Sequence, residues 1–387
     1  MSRRLDPPPE HVPLPPGFSA AGIHCGLKTD GALDLGLLCA EAPTPTAALF
    51  TDNQLLGAHI PVCRDHLEKS GHLTRAILVN SRNANCATGA RGVEDAYACC
   101  AALAERLGCP TEQVLMASTG VIGAPLPRAQ ILEHLGPLLD AASADGGLAF
   151  ATAIMTTDTQ PKVAHAADDA CVTGFAKGSG MIHPDMATML GFLLTDGAAA
   201  STAALRRVAD RSFHRVTVDG DTSPNDSLFL MSGGAAKDAE PSLCEVTASL
   251  AQQVAADGEG ASRLVTVEVR GAPDDDAAAR VGRVIATSPL VKTAVAGRDP
   301  NWGRLLAAAG RSGVGFDPEN ARVWVGAAEV FRHGVPLPER EADGSRHLQE
   351  DERVVLGVDL GVGAGSADVW TCDLTAEYVR VNADYRT

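Results

Sequence analysis

The stretch with the most chemistry in it runs Lys177-Gly-Ser-Gly-Met-Ile-His-Pro-Asp-Met-Ala-Thr-Met-Leu190, near the middle of a 387-residue chain. Small residues lead into it and an apolar run, Met189 to Leu194, leads out. Gly178 and Gly180 permit positive φ and a sharp bend. Pro184 fixes one φ and pushes His183 toward extended geometry. Such a turn can hold the Ala187–Thr188 peptide bond in a strained, exposed posture. If that bond broke, Thr188 would carry a hydroxyl and a free α-amine on one residue. An α-amine has a reference pKa of about 7.7–8.0, so it can serve as the base for its own hydroxyl near neutral pH. The competing reading is structural: a lone Thr in an apolar run packs in a strand, or its hydroxyl bonds a nearby carbonyl.

Ser118-Thr119-Gly120 follows the apolar run Gln113 to Met116. As structure it is a turn. As chemistry it is an oxyanion hole, because acyl transfer builds negative charge on a carbonyl oxygen and needs donors already aimed there. Asp219, Asp221, Asn225 and Asp226 crowd around Gly220 and Pro224. Their spacing fails the twelve-residue calcium loop and no Glu closes it, so turn capping is the expectation. Lys177-Gly-Ser-Gly180 lacks the first Gly and the Lys-Ser/Thr ending of a phosphate loop. Gly361-Val-Gly-Ala-Gly365 lacks the following helix and the distant acid of a dinucleotide site.

These residues need elements to hold them. Residues 1–16 read as a loose arm, and Gly17 to Asn53 as short strands broken by Gly and Pro. Arg75 to Val79 reads as a buried strand, followed by a polar turn or binding loop, Asn80 to Gly89. Val93, Ala96, Tyr97, Cys100, Leu103 and Leu107 recur at helical spacing, with Gly108 as the stop. Gln113 to Met116 predicts a strand. Arg128 to Ala142 predicts a helix with a break near Pro137, and Ile154 to Lys162 is a polar loop. Ser201 caps a helix from about Thr202 to Arg211. Pro241 to Ala256 and Asp274 to Ile285 read as helices, and Leu264 to Val269 as an alternating strand. The last hundred residues read mostly as strand: Arg322 to Val325, Arg353 to Leu360 and Tyr378 to Val381. Strands and helices without regular alternation predict an α+β fold.

Composition narrows the partners. The net charge is −16, which disfavours a nucleic-acid or anionic-membrane surface. No apolar run is long enough to span a membrane. Arg3 and Arg4 precede Pro7, Pro8 and Pro9 rather than an apolar segment, so no signal peptide is expected. Ten cysteines at irregular spacing, with no C-x-x-C pair, read as reduced thiols of a cytoplasmic protein, and no metal spacing is present.

The stretch from Lys177 resembles the self-cleavage segment of the ornithine acetyltransferases (glutamate N-acetyltransferase family), written Lys-Gly-x-Gly-Met-…-Met-Ala-Thr-Met. The likeness runs nearly end to end through Thr217-Val-Asp-Gly-Asp-Thr-Ser-x-Asn-Asp226, Pro289-Leu-Val-Lys-Thr293, Asp299-Pro-Asn-Trp-Gly-Arg304 and Tyr378-Val-Arg-Val-Asn-Ala-Asp-Tyr385. Arg82, His183-Pro-Asp185 and Pro224 depart from the family's common residues. The resemblance implies layered sheets with flanking helices, as in the related self-cleaving aminopeptidases. It implies cleavage between Ala187 and Thr188 into chains 1–187 and 188–387, which fold together as one αβ unit and pair as α2β2. It implies Thr188 as nucleophile, Thr119 and Gly120 as oxyanion donors, and Thr156, Lys177, Thr188, Glu259, Asn382 and Thr387 as substrate contacts. The implied reaction moves acetyl from N2-acetylornithine to glutamate in cytoplasmic arginine biosynthesis. It uses no metal or organic cofactor, with acetyl-CoA as a further candidate donor. A self-cleaving amidohydrolase or aminopeptidase, or a paralogue of secondary metabolism, is the alternative.

Overall fold

The structure, a computed structural model, describes residues 4–183, 189–198 and 201–384. Its first layer is an eight-stranded sheet built from β1 (Phe18–Ile23), β2 (Leu35–Phe50), β3 (Leu73–Asn80), β4 (Val114–Ser118), β5 (Lys162–Ala167), β6 (Cys171–Lys177), β7 (Leu190–Ala198) and β8 (Ser227–Asp238). The order is β4-β3-β2-β8-β7-β6-β5, with β1 paired to β2. The second is a six-stranded sheet of β9 (Leu264–Ala272), β10 (Arg322–Val325), β11 (Ala328–Arg332), β12 (Val335–Pro336), β13 (Arg353–Asp359) and β14 (Gly365–Cys372), ordered β12-β11-β10-β13-β9-β14. The helices are α1 (His59–Lys69), α2 (Gly89–Leu107), α3 (Arg128–Asp140), α4 (Gly147–Ala153), α5 (Thr202–Asp210), α6 (Glu240–Ala256), α7 (Asp275–Ala286), α8 (Pro289–Ala296), α9 (Trp302–Gly310), α10 (Pro338–Glu350) and α11 (Ala376–Asp384). Both sheets mix parallel and antiparallel pairs, and with the flanking helices they make an α+β fold.

The central strands of the first sheet are apolar on both faces because both faces are covered. Phe192 and Leu194 of β7, with Phe229 and Met231 of β8, join one core, where Phe150 from α4 meets Phe175 and Phe192 edge to face. Leu193, Leu228 and Leu230 point the other way, into a core shared with α5 and α6. In the second sheet Val265, Val267 and Val269 face α7, as their alternation predicts.

Several expectations need correction. The segment before Asn53 holds one short strand, β1, as expected, but the rest is a single 16-residue strand, β2, rather than short pieces. β2 passes Pro43 within a register shift against β3 between Cys39 and Thr44, places Pro45 opposite Leu73, and pairs with β8 from Thr46 on. At Pro43 the shift removes a ladder bond that proline cannot make. α3 runs straight through Pro137, because only one bond is lost near its end and the Pro137 carbonyl still accepts from Ala141. The N-terminal arm is tied down from Arg4 onward. Arg4 bonds Ala261 and Glu352, Asp6 pairs with Arg353 at 2.9 Å, and Val12 is buried. The last hundred residues carry the helices α8 to α11, and Tyr378 to Val381 lies in α11. A period-2 reading of Tyr378-Val-Arg-Val fails there because no neighbouring strand among the described residues pairs with it.

Candidate active site

Thr119 and Gly120 leave the end of β4 and turn against the Asn80–Asn85 loop. The Asn80 carbonyl accepts from the Thr119 amide at 3.1 Å, and the Arg82 carbonyl accepts from Val121 at 3.1 Å. Ser118 Oγ donates to Asn80 Oδ1 at 2.7 Å, and Asn80 Nδ2 donates to the Asn83 carbonyl at 2.9 Å. The amide-rich loop is therefore a scaffold for the turn. Gly120 sits at φ +131°, and a Cβ there would collide with the Arg82 carbonyl group, so no other residue fits. No described residue accepts from the Gly120 amide. Arg82 itself takes φ +72° where the resemblance has Gly, a conformation that costs a side-chain-bearing residue roughly 1–2 kcal/mol.

Lys177 ends β6, and its Nζ donates to Thr119 Oγ1 at 2.9 Å. Burial pushes this ammonium's pKa down, against the attraction of Asp158, Asp226 and Glu259. Asp226 is enclosed, and burial raises its carboxyl well above the usual range in spite of Lys177. Its Oδ2 has no partner among the described residues.

A buried ion cluster ties three site loops together. Lys162 Nζ, fully buried, donates to Asp158 Oδ1 at 2.5 Å and Asp257 Oδ2 at 2.6 Å. Asp158 also accepts from the amides of Gly178 (2.7 Å) and Thr156 (2.9 Å), and Asp257 accepts from the Thr159 amide (2.9 Å) and hydroxyl. Burial alone would raise the Asp158 carboxyl, but Lys162, Lys177 and these hydrogen bonds draw it well below the usual range. The cluster thus sets the loop bearing Thr156, the backbone next to Lys177, and the end of α6 that leads to Glu259. Sequence reading missed all three residues. The four-residue step from Asp158 to Lys162 was visible, but nothing in it marks burial.

One cavity of about 230 Å³ is lined by Thr119, Gly120, Thr156, Lys177, Glu259 and Asn382. Only Thr119 and Gly120 are neighbours in the chain; the others arrive from separate segments. Asn382 Nδ2 donates to Glu259 Oε2 at 2.8 Å, and the Glu259 amide donates to the Ser179 carbonyl at 2.8 Å. Gly180 does not take positive φ, contrary to expectation. A Cβ there would meet the Glu259 carboxylate and push it from its place. Met181 takes the positive φ instead, at +55°.

A family profile, the ArgJ family, matches residues 19–387. The chain belongs to the ArgJ family. It is 46% identical over 390 residues to the arginine biosynthesis bifunctional protein ArgJ of Parasynechococcus marenigrum, covering 97% of this chain and 95% of that one. Against the protein of the same name from Thermus thermophilus it is 45% identical over 385 residues, covering 97% and 100%. Among solved structures, ArgJ from Bacillus halodurans is 37% identical with a TM-score of 0.49, covering 51% of this chain and 100% of that one. Ornithine acetyltransferase complexed with ornithine from Mycobacterium tuberculosis is 33% identical with a TM-score of 0.41, covering 46% and 96%.

In this ArgJ-family chain, Ala187, Thr188 and Thr387 lie outside the described residues. The flanks of the central pair are anchored. On one side Asp219 accepts from the amides of Met181 (2.7 Å) and Ile182 (2.9 Å), and the Ile182 carbonyl accepts from Val218 at 2.8 Å. On the other side the Met189 carbonyl accepts from Ser227 at 2.9 Å. Asp219 caps a turn as expected, but it also lines the cavity, as do Asp221 and Tyr378. Burial raises the Asp219 carboxyl even though it accepts those amides, and Tyr378 Oη lies 3.4 Å from its Oδ2. These three were missed because each looked like an ordinary turn or terminal residue.

Proposed function

We propose that this ArgJ-family chain transfers an acetyl group from N2-acetyl-L-ornithine to L-glutamate in arginine biosynthesis, through an ester on Thr188. Family membership and the names of the relatives support acetyl transfer in that pathway. The observation that carries the residue assignments is the convergence of Thr119, Gly120, Lys177, Glu259 and Asn382 on one cavity.

In this reading the Thr188 hydroxyl first attacks the Ala187 carbonyl, and water hydrolyses the ester so formed, leaving chains 1–187 and 188–387. The freed Thr188 amine then takes the hydroxyl proton as the oxygen attacks the acetyl carbonyl of N2-acetylornithine. The C–N bond breaks, the proton passes to the departing ornithine nitrogen, and the acetyl group stays on the Thr188 oxygen. Glutamate enters and its amine takes the acetyl group. Thr119 and Gly120 donate to the oxyanion at each step. Lys177 keeps two further N–H donors for a substrate carboxylate, and Glu259 answers the ornithine side-chain ammonium. With the base supplied by the Thr188 amine and the oxyanion donors by Thr119 and Gly120, this reading calls for no metal or organic cofactor. Bifunctional in the relatives' names supports a second donor, for which acetyl-CoA is the candidate. The αβ units pair as α2β2 in the cytoplasm; among the described residues, no helix is long and apolar enough to cross a membrane.

The test combines mass analysis and assay. The purified protein should give two fragments that meet at Ala187 and Thr188, and Thr188→Ala should stay whole. N2-acetylornithine should be consumed in step with N-acetylglutamate formation. Acetate release that is independent of glutamate would make the chain a hydrolase instead.

A further inference from the structure

A second cleft, of about 570 Å³, opens between the α5–Arg215 segment and α7. Its lining shares no residue with the cavity above. Arg207, Arg211, Arg215, Arg280 and Arg283 line it, together with His214. Five guanidinium groups in one cleft stand out on a chain of net charge −16, where the average surface repels anions.

The nearby acids offset only part of this charge, with three aspartates in the lining against five guanidinium groups. Asp210 is held by His214 Nδ1 at 2.7 Å, and Glu240 takes Arg207 at 2.8 Å. Asp275 accepts from the Ser366 amide at 2.8 Å, and Asp368 pairs with Arg270 at 2.7 Å. Asp276 is the other carboxylate lining the cleft. Arg215 and Arg283 instead donate to backbone carbonyls, those of Asp210 (3.0 Å) and His214 (3.3 Å). Each of these bonds uses one N–H of a group that has five, so most of their donors remain available.

Two features point to a ligand rather than a solvated patch. Burial lowers the pKa of Arg215, and the crowding of Arg211 and Arg283 adds to that against Asp275 and Asp368. Like charges gathered in a part-buried cleft are unfavourable until an anion divides them. His214 is 7% exposed, and its Nε2 is buried with no partner among the described residues. Planar guanidinium forks match the oxygens of phosphate in pairs, and the cleft is too large for one phosphate alone.

We infer that this cleft binds a multiply charged oxyanion of the phosphate class, of diphosphate size or larger. The site stands independently of the acetyl-transfer reading. It lies next to that reading's machinery in sequence, since Arg215 precedes the Val216–Asp219 segment whose last residue lines the active-site cavity.

The experiment is calorimetric titration of the full-length protein with sodium pyrophosphate at fixed ionic strength, set against sodium chloride and citrate. One saturable site is expected. Arg211→Ala and Arg280→Ala, both exposed and outside the active-site lining, should each weaken it about tenfold with acetyl transfer unchanged, and the pair should abolish it. Citrate binding more tightly than pyrophosphate would overturn the phosphate class. Heat that does not saturate, or binding unchanged in both variants, would overturn the site.

Discussion

Lys177 Nζ donates to Thr119 Oγ1 across 2.9 Å, joining the end of β6 to the turn after β4. An ammonium has no lone pair, so Thr119 can only accept in this bond. Its single hydroxyl proton is thereby left for a third atom. The lysine assigned to a substrate carboxylate therefore also orients the oxyanion donor.

Thr119→Val should cut kcat by a factor on the order of 10²–10³, the usual loss for one oxyanion donor, with the fold unchanged. Lys177→Met should lower kcat as well as raise KM. If Lys177 acts through the hydroxyl, the double variant loses less than the product of the two single losses. Full multiplicativity in steady-state kinetics would show that the bond does not orient the proton.

Glu259→Gln should separate the two substrates. Losing a charge-assisted bond of about 1.5–3 kcal/mol predicts a drop in kcat/KM for N2-acetylornithine of roughly ten- to a hundredfold. Glutamate has no side-chain ammonium and should lose much less. Equal losses, measured with the other substrate saturating, would remove Glu259 from the ornithine side chain.

The Lys162 cluster should be a point of fragility. Lys162→Met leaves Asp158 and Asp257 buried without their cation, a change that typically costs about 3–5 kcal/mol. Urea denaturation should show a clearly lowered midpoint. Lys69→Met, which breaks an exposed pair with Asp65, should leave the midpoint where it was.

His59 makes stability depend on pH. Its ring is fully buried, with Nε2 3.0 Å from Ser227 Oγ, and burial lowers its pKa to about 4. The unfolded chain protonates it near 6.5, so between about pH 6.5 and 4 the unfolded state binds the extra proton and the fold loses stability. Burial lowers His214 as well, which adds a loss of the same sign. His59 alone accounts for about 3 kcal/mol. Urea unfolding at about pH 7 and about pH 4.5 should show the drop, and His59→Gln should flatten it. Because the raised Asp219 and Asp226 carboxyls act with the opposite sign in both proteins, a pH profile unchanged in His59→Gln would contradict a neutral buried imidazole.

Local pattern was enough wherever an element's reason is local. α2 follows from its apolar spacing and ends at Gly108, whose φ is +63°. α5 begins at Ser201, whose side chain accepts from Ala204, and β9 shows its alternation in full. β2 and α11 were misread because their state depends on partners: β8 continues the first past its prolines, and no described strand pairs with the second.

The order of residues alone determined the family, the Lys177–Leu190 stretch and the candidate set of Thr119, Gly120, Thr156, Lys177, Glu259 and Asn382, because motifs are local and survive without coordinates. Tertiary structure decided that these six share one cavity, that Lys177 touches Thr119, and that Asp219, Asp221 and Tyr378 belong beside them. It also decided that Lys162, Asp158 and Asp257 form a buried cluster, and that the Glu259 carboxylate packs against Gly180. Each of those facts is a contact between residues far apart in the chain or a burial set by other elements. A one-dimensional pattern cannot encode either, since the energy of a buried charge or a close approach depends on what the fold brings against it.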